Sequence, residues 1–386
     1  MNSHLRDRYL GFALQWLLLA TFMVALCGCE QPHTEPAGMS LRDSLGIENA
    51  EGFRKVLTRR EFEFPADHGA HEGYRNEWWY VTGNLRDAEG NAFGYQVSFF
   101  RIQLNPEKND QNGQKKAQRL SRWATNHVWM AHVALSDGGS GQHHSLERFS
   151  RESLDLAGVQ AAPFNIWLDD WQIVALEDNS WQIAITTPAF DLQLNLKPGK
   201  PPVLIGDRGF SQKSATPGNA SYYYSITRLH TEGKITVNQR DYLVKGNSWF
   251  DREWGSSALD KDQQGWDWFS LQLNSGEELM YYRLRDNNGQ AHPFSAGIWV
   301  NKQGHSQPIS AAEIVVTPIG WWTSDDGSRY PIRWQLEYQD RHWRIEPLID
   351  NQLMNTQVRY WEGAIKILNS QQAQVGSGYL ELAGYE

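Results

Sequence analysis

Asn76-Glu77-Trp78-Trp79-Tyr80-Val81-Thr82-Gly83-Asn84-Leu85 runs into the turn cluster Asp87-Ala88-Glu89-Gly90-Asn91 and then into an aromatic, β-branched stretch at residues 93–104. Alternating aromatic and β-branched residues suit a pleated, half-buried strand, and a Gly/Asn/Asp cluster between two such runs makes a hairpin. The same signature recurs at residues 127–135, 181–186 and 190–196, with turn clusters at Asp137-Gly138-Gly139 and Lys197-Pro198-Gly199. Residues 105–118, rich in Asn, Gln and Lys, read as a loop, and only residues 40–45 and 310–314 offer a short helical turn. The chain is predicted to be all-β, with strands at sandwich or barrel spacing.

The opening hairpin has a counterpart further along. Trp79-Tyr80 leads through Gly90 to Tyr95-Gln96-Val97-Ser98-Phe99-Phe100-Arg101, and Trp268-Phe269 leads through Ser275-Gly276 to Leu279-Met280-Tyr281-Tyr282-Arg283. Each is an aromatic strand, a hairpin and a second strand ending in arginine. Residues 224–229, a turn at Gly233 and residues 242–246 likewise parallel residues 360–367 and 376–384. Two related β-barrel-like units are expected, an N-terminal one over 58–247 and a C-terminal one over 248–386.

The N-terminus reads as an export signal over residues 1–29. Arg6 and Arg8 form a basic region, and residues 11–26 are largely apolar, too few for the roughly 20 that span a bilayer. The run ends in Leu26-Cys27-Gly28-Cys29, which resembles a bacterial lipobox with Cys29 as the lipidated residue; an ordinary signal peptide or short anchor is the alternative. Glu30 after the cysteine fits outer-membrane sorting, and residues 30–57 begin with a polar, Pro/Gly-containing tether. With Cys27 removed and Cys29 lipidated, no thiol is left for a disulfide, a metal or a nucleophile. The expected address is the cell envelope, as a periplasmic lipoprotein held to a membrane by its N-terminal lipid. A net charge of −9 argues against nucleic acid as a partner.

Candidate chemistry concentrates in Trp249-Phe250-Asp251-Arg252-Glu253-Trp254-Gly255 and Gly265-Trp266-Asp267-Trp268-Phe269. On a strand, Asp251 and Glu253 share one face and Arg252 takes the other. Asp251 is then either a general acid kept protonated among Trp249, Trp266 and Trp268, or a structural carboxylate paired with Arg228 or Arg283. Glu77 before Trp78-Trp79 and Asp267 between two tryptophans hold similar positions in the two halves. Trp78, Trp79, Trp249, Trp254, Trp266 and Trp268, with Glu77, Arg252 and Glu253, are candidate ligand-binding residues, because barrels of this size often enclose one apolar ligand. In the Tyr222-Tyr223-Tyr224 run, alternation sends Tyr222 and Tyr224 one way and Tyr223 the other; Tyr222 and Tyr224 are the candidate phenols, against simple cross-strand packing.

Other chemistries lack their signatures. His127 and His132 are five apart and face opposite sides of a strand, so no metal site is expected. There is no Gly-x-Ser-x-Gly elbow, and Gly206-Asp207-Arg208-Gly209 precedes no helix, so it is a turn rather than a phosphate loop. No cofactor is expected.

Four blocks in order, residues 76–85, Ala220-Ser221-Tyr222-Tyr223-Tyr224-Ser225, Ser248 through Gly255 and Tyr360-Trp361-Glu362-Gly363-Ala364, resemble the AttH-like proteins of the carotenoid 1,2-hydratase (CrtC-type) lipocalin-like superfamily. The resemblance covers nearly all of the chain after about residue 58. It implies two lipocalin-like barrels side by side. It also implies a functional range: hydratases of isoprenoid alkenes, proteins that guide polyene cyclisation, and lipid-related proteins, with AttH-like members encoded beside ABC-transporter permeases. Where the hydratases read Tyr-Trp-Asp-His-Asn, this chain retains only Asp251.

The expected function is therefore an envelope protein that binds a hydrophobic or amphiphilic molecule, as accessory to an ABC-type transport system. The first alternative is a hydratase, hydrolase or cyclisation enzyme with Asp251 as acid. The second is a permease-docking protein with no small ligand. A sealed apolar cavity with few titratable groups would mark the binder, and a raised pKa for Asp251 inside a cavity would mark the enzyme. Filled barrels with an exposed apolar patch would mark the docking protein.

Overall fold

The computed structural model of the chain describes residues 50–106, 121, 123–257 and 259–385. The export signal, Cys29, the turn expected at 40–45 and most of the 105–118 loop lie outside the described residues. Among the described residues no helix is long and apolar enough to cross a membrane.

The fold is all-β, as expected, and consists of two antiparallel sheets curled into lipocalin-like barrels, one nearly closed and one half-open. The first sheet begins with β1 (Asn76–Arg86), β2 (Ala92–Gln103), β3 (His127–Asp137) and β4 (Gln142–Arg151). It continues with β5 (Ala157–Ala161), β6 (Phe164–Leu168), β7 (Trp171–Ala175), β8 (Trp181–Thr186) and β9 (Phe190–Pro198). Short strands β10 (Val203–Leu204) and β11 (Phe210–Gln212) precede the long pair β12 (Ala220–Val237) and β13 (Arg240–Gly255). β13 lies between β1 and β12 and so joins the two halves of the sheet.

The second sheet starts with β14 (Gln263–Leu273), β15 (Glu278–Asp286), β16 (Ala296–Val300), β17 (Ser306–Ser310) and β18 (Ile314–Thr323). It ends with β19 (Arg329–Tyr338), β20 (Arg341–Pro347), β21 (Leu353–Met354), β22 (Tyr360–Leu368) and β23 (Gln374–Ala383). β23 lies between β14 and β22. The boundary expected at 247/248 falls inside β13. The chain changes sheets only after Gly255, because residues 248–255 continue the ladder with β1 and β12.

The turn expected at Gly233 is also displaced. Gly233 sits within β12, where a Cβ would meet the Gln193 carbonyl oxygen of β9 at 2.1 Å. The reversal comes at Asn238 and Gln239, both left-handed at φ 52° and 61°, as a two-residue primed hairpin turn requires.

Strand parity decides what each barrel buries. In β1, Trp79, Val81 and Leu85 enter the first core, while Trp78 and Tyr80 face out of it. In β14, Phe269, Leu271 and Leu273 enter the second core and Trp266 and Trp268 face out. Both cores are filled with side chains. The outward faces meet in a third apolar cluster that includes Tyr80, Tyr223, Trp249, Trp268, Tyr282 and Tyr360. Docking is tight at Gly94 of β2, where an added Cβ would lie 2.3 Å from the Cβ of Ala364 in β22.

One irregularity controls the site. Between Ile226 and Leu229 the β12 register against β13 shifts by one residue. Beyond it Leu229, Ile235 and Val237 point inward; before it the inward residues are Tyr222, Tyr224 and Ile226. An extra residue in one strand flips the parity of everything on one side of it. The bulge therefore turns Tyr223 outward.

Candidate functional site

A cavity of about 140 Å³ opens between the barrels, not inside either of them. The ligand space expected within a barrel is thus displaced to the junction, because each barrel interior is taken up by its own aromatic core. Cavities of roughly this size accept an aromatic-ring-sized apolar group. One wall carries Trp78, Tyr80, Phe100, His132, Tyr223, Asp251 and Glu253 from the first sheet. The other carries Trp266, Trp268, Tyr282, Tyr360, Glu362 and Glu381 from the second.

Asp251 and Glu253 share the outward face of β13, as their spacing predicted, and Arg252 points the other way. Neither structural arginine expected for Asp251 is near it in the ion-pair pattern: Arg228 binds Glu278 at 2.6 Å and Arg283 binds Asp267 at 2.7 Å. Asp251 instead accepts hydrogen bonds from the Tyr223 hydroxyl at 2.7 Å, the Trp249 indole N–H at 2.7 Å and the Ser225 hydroxyl. Burial pushes its carboxyl up to about 7 against these three donors, with the Glu253 charge adding to the rise. Trp268 Nε1 donates to the Tyr223 oxygen at 3.1 Å, so a chain of donors crosses from the second barrel to Asp251.

Besides Glu77 at its rim, three more carboxyl groups share the cavity. Glu253 accepts from Ser221 and pairs with Lys213 Nζ at 3.1 Å. Burial would lower the Lys213 ammonium, but Glu253 and Tyr282 hold its pKa above the ordinary value, and the charge sits 4.0 Å from the Tyr282 ring centre. Glu381 takes the Trp266 indole N–H at 3.0 Å and is raised by burial, and then by Asp251 and Glu253, to about 7. Glu362, opposite Glu381 in the β22–β23 ladder, accepts from Tyr80 across the junction; burial and the Glu381 charge raise it well above the carboxylate range.

The remaining expected residues divide by parity. Trp78, Trp266, Trp268, Glu77, Asp251 and Glu253 line the cavity, and Trp249 orients Asp251 from behind. Trp79 and Trp254 belong to the first core, and Arg252 lies 3.9 Å over the Trp79 ring. Tyr222 and Tyr224, the two phenols singled out from the sequence, also face that core: Tyr222 donates to the Thr58 carbonyl, and Tyr224 lies 2.6 Å from His68 Nδ1. Of the three consecutive tyrosines, Tyr223 is the one at the cavity.

Glu77 reaches the cavity rim but is tied into the first barrel. Burial would raise its carboxyl, yet Arg252, His71 and Arg101 bring it down to about 2. Asp267 is its counterpart, held by Arg283, Arg285 and Tyr385. Glu77 faces Arg101 across β1–β2 as Asp267 faces Arg283 across β14–β15, which puts the repeat read from the sequence into matching ion pairs. Among the described residues, no group of three or more His, Cys, Asp or Glu side chains is placed to hold a metal ion.

The AttH-like family profile matches residues 55–385. The chain belongs to the AttH-like family. This AttH-like protein is 32% identical to an AttH of Nitrosomonas europaea, with a TM-score of 0.75 over 86% of this chain and all of the other. It shares its fold with kievitone hydratase of Nectria haematococca, at 13% identity and a TM-score of 0.63 over 86% of this chain and 97% of that one. CghA, solved with Sch210972, matches at 10% identity and a TM-score of 0.51 over 88% and 98% of the two chains. No curated protein matches the AttH-like chain.

Lys213, Tyr360, Glu362 and Glu381 line the cavity without having been site candidates from the sequence, Tyr223 was set aside for its neighbours, and His132 was weighed only as a metal ligand. The Tyr360-Trp361-Glu362 block carried the only signal for two of them. Glu362, a glutamate beside aromatics on a strand of the second repeat, would have qualified on the same grounds as Glu253.

Proposed function

We propose that this AttH-like protein is an enzyme that binds an apolar or amphiphilic small molecule between its barrels and protonates it from Asp251. The observation that carries this reading is a cavity-facing carboxyl held near pKa 7 among indoles and phenols. A general acid works best when its pKa lies near the working pH. A passive carrier would gain nothing from Asp251, Glu362 and Glu381, three buried carboxyl groups in its ligand space with no ion pair among the described residues, since each costs stability when left without a cation. The aromatic rings supply negative π-faces toward positive charge developing on a protonated carbon. Addition of water to a carbon–carbon double bond, or its removal, is the simplest reaction these groups balance. Kievitone hydratase, with the same fold, carries a hydratase name.

Full-length protein purified from its own envelope, with Asp251→Asn alongside, tests the reading by native mass spectrometry and extraction of bound molecules. Substrate retained by the variant and converted by the wild type supports the enzyme. The same unconverted molecule in both proteins makes it a carrier and ends the catalytic reading.

The envelope address, lipidation at Cys29 and service to an ABC-type permease belong to the same proposal. Loss of metabolic palmitate labelling in Cys29→Ser tests the anchor. One feature favours a docking surface as well: on edge strand β18, Val315, Ile319 and Trp321 are all well exposed on one face. Crosslinking from position 319 to a permease, present or absent, decides that part.

A further inference from the structure

We propose that Tyr360, His132 and Glu147 form a second acid–base centre, which opens on the same cavity as Asp251 and carries the reaction's released proton to solvent. The inference rests on the catalytic reading above and adds the base that reading lacks. Tyr360 stands on β22 and His132 on β3, so the pair forms only where the barrels dock. The Tyr360 oxygen lies 2.7 Å from His132 Nδ1, and His132 Nε2 lies 2.8 Å from Glu147 Oε2. Tyr360 and His132 both line the cavity; the Glu147 side chain, at 11% exposure, reaches toward the surface beside Gln357.

The direction of the chain follows from its ends. Gln96 Nε2 donates to the Tyr360 oxygen at 3.1 Å, and Glu362, which also contacts this phenol, is kept neutral by burial and is a weaker acceptor than an imidazole nitrogen, so the phenol proton points at His132 Nδ1. A carboxylate at Glu147 accepts from Nε2–H. The imidazole is thereby fixed as the Nε2–H tautomer with Nδ1 as acceptor, the geometry of a base oriented by a third group. His132 and Tyr360 also stack at 5.7 Å between centroids, which limits ring rotation.

Hydration at this site involves no net redox change. The π electrons of the double bond take the Asp251 proton and form a C–H bond. Water adds to the neighbouring carbon through a new C–O bond and gives its proton to the Tyr360 oxygen as the phenol proton moves to His132 Nδ1. His132 then passes its Nε2 proton to Glu147 and on to solvent; after the product leaves, Nε2 is reprotonated by the same route and the Nδ1 proton returns through the Tyr360 phenol to cavity water, which reprotonates Asp251. No oxidant or other co-reactant is required. Dehydration runs the same transfers in reverse.

Two readouts test the centre on the full chain. In ¹⁵N-histidine-labelled protein, two-bond ¹H–¹⁵N spectra should show His132 protonated on Nε2, with its Nδ1 resonance shifted in Tyr360→Phe and the tautomer preference lost in Glu147→Gln. A proton on Nδ1 in the wild type, or an unmoved Nδ1 in Tyr360→Phe, overturns the proposal. For turnover, a total lipid extract of the native envelope is incubated in D₂O and searched for deuterated, water-added or water-lost species. Tyr360→Phe and His132→Gln should slow their formation on the order of 10²-fold or more with retained binding. Conversion abolished in Asp251→Asn but unchanged in Tyr360→Phe refutes the second centre and leaves the acid in place. Conversion absent from wild type and Asp251→Asn alike refutes the catalytic reading, and the histidine spectra then decide the wiring alone.

Discussion

Glu253 and Glu381 occupy the same register position in the two sheets. Glu253 lies opposite Trp78, the tryptophan that follows buried Glu77, and Glu381 lies opposite Trp268, the tryptophan that follows buried Asp267. On their other sides, Glu253 faces Tyr223 and Glu381 faces Glu362. The cavity is thus walled by two copies of one strand arrangement turned toward each other. Asymmetry enters through Lys213, which binds Glu253 and leaves Glu381 without an ion pair among the described residues. At this register position one repeat carries an ion-paired glutamate and the other a glutamate raised to about 7.

The pH dependence of stability follows from these groups. Asp251 and Glu381 have folded pKa values raised to about 7, so between about pH 4 and 7 the unfolded chain releases protons that the folded chain keeps. Stability therefore falls over that window, by up to about 4 kcal/mol for Asp251. Glu77, lowered to about 2, acts oppositely: its contribution is present above about pH 4.5 and is lost as pH falls toward 2. Thermal unfolding should show a maximum near pH 4–5, and Asp251→Asn with Glu381→Gln should flatten the decline toward pH 8. A wild-type maximum at pH 8 would contradict the assignment.

Lys213→Met should move Asp251 further from the ordinary carboxylate range. The ammonium pairs with Glu253, and its removal leaves that charge uncompensated beside Asp251. ¹³C-carboxyl NMR titration should show the Asp251 midpoint rising, with a midpoint at or below the wild-type value counting against the network.

Asp267→Asn removes the carboxylate that holds Arg283, Arg285 and Tyr385 in the second barrel. Two buried guanidinium groups then lose their counter-charge, at a cost of about 3–5 kcal/mol. Asp267 lies off the cavity wall, so folded protein should keep its ligand occupancy. Chemical denaturation and native mass spectrometry measure the two effects separately.

Gly94→Val should force the barrels apart, since even a Cβ at that position meets Ala364. The expected result is loss of the cavity ligand and accelerated proteolysis near residues 255–263, with both β-cores still present by far-UV circular dichroism. Unchanged ligand retention would show that docking tolerates the wedge.

The sequence carried the all-β class, the tandem repeat, the common face of Asp251 and Glu253, and the equivalence of Glu77 and Asp267. All of these depend on period-two alternation and on turn residues, which are local and written in the chain. It did not carry which parity faces a barrel interior along β12, because the bulge between Ile226 and Leu229 reverses it and selects Tyr223 over Tyr222 and Tyr224. Nor did it place the cavity. The two barrels fill their own interiors with aromatics, and the open space arises where outward faces from opposite ends of the chain meet. Asp251, Glu362, Glu381 and the Tyr360–His132 pair come together through that docking alone. Their altered proton affinities follow from burial between the barrels, a property of the assembled surfaces and of no single strand.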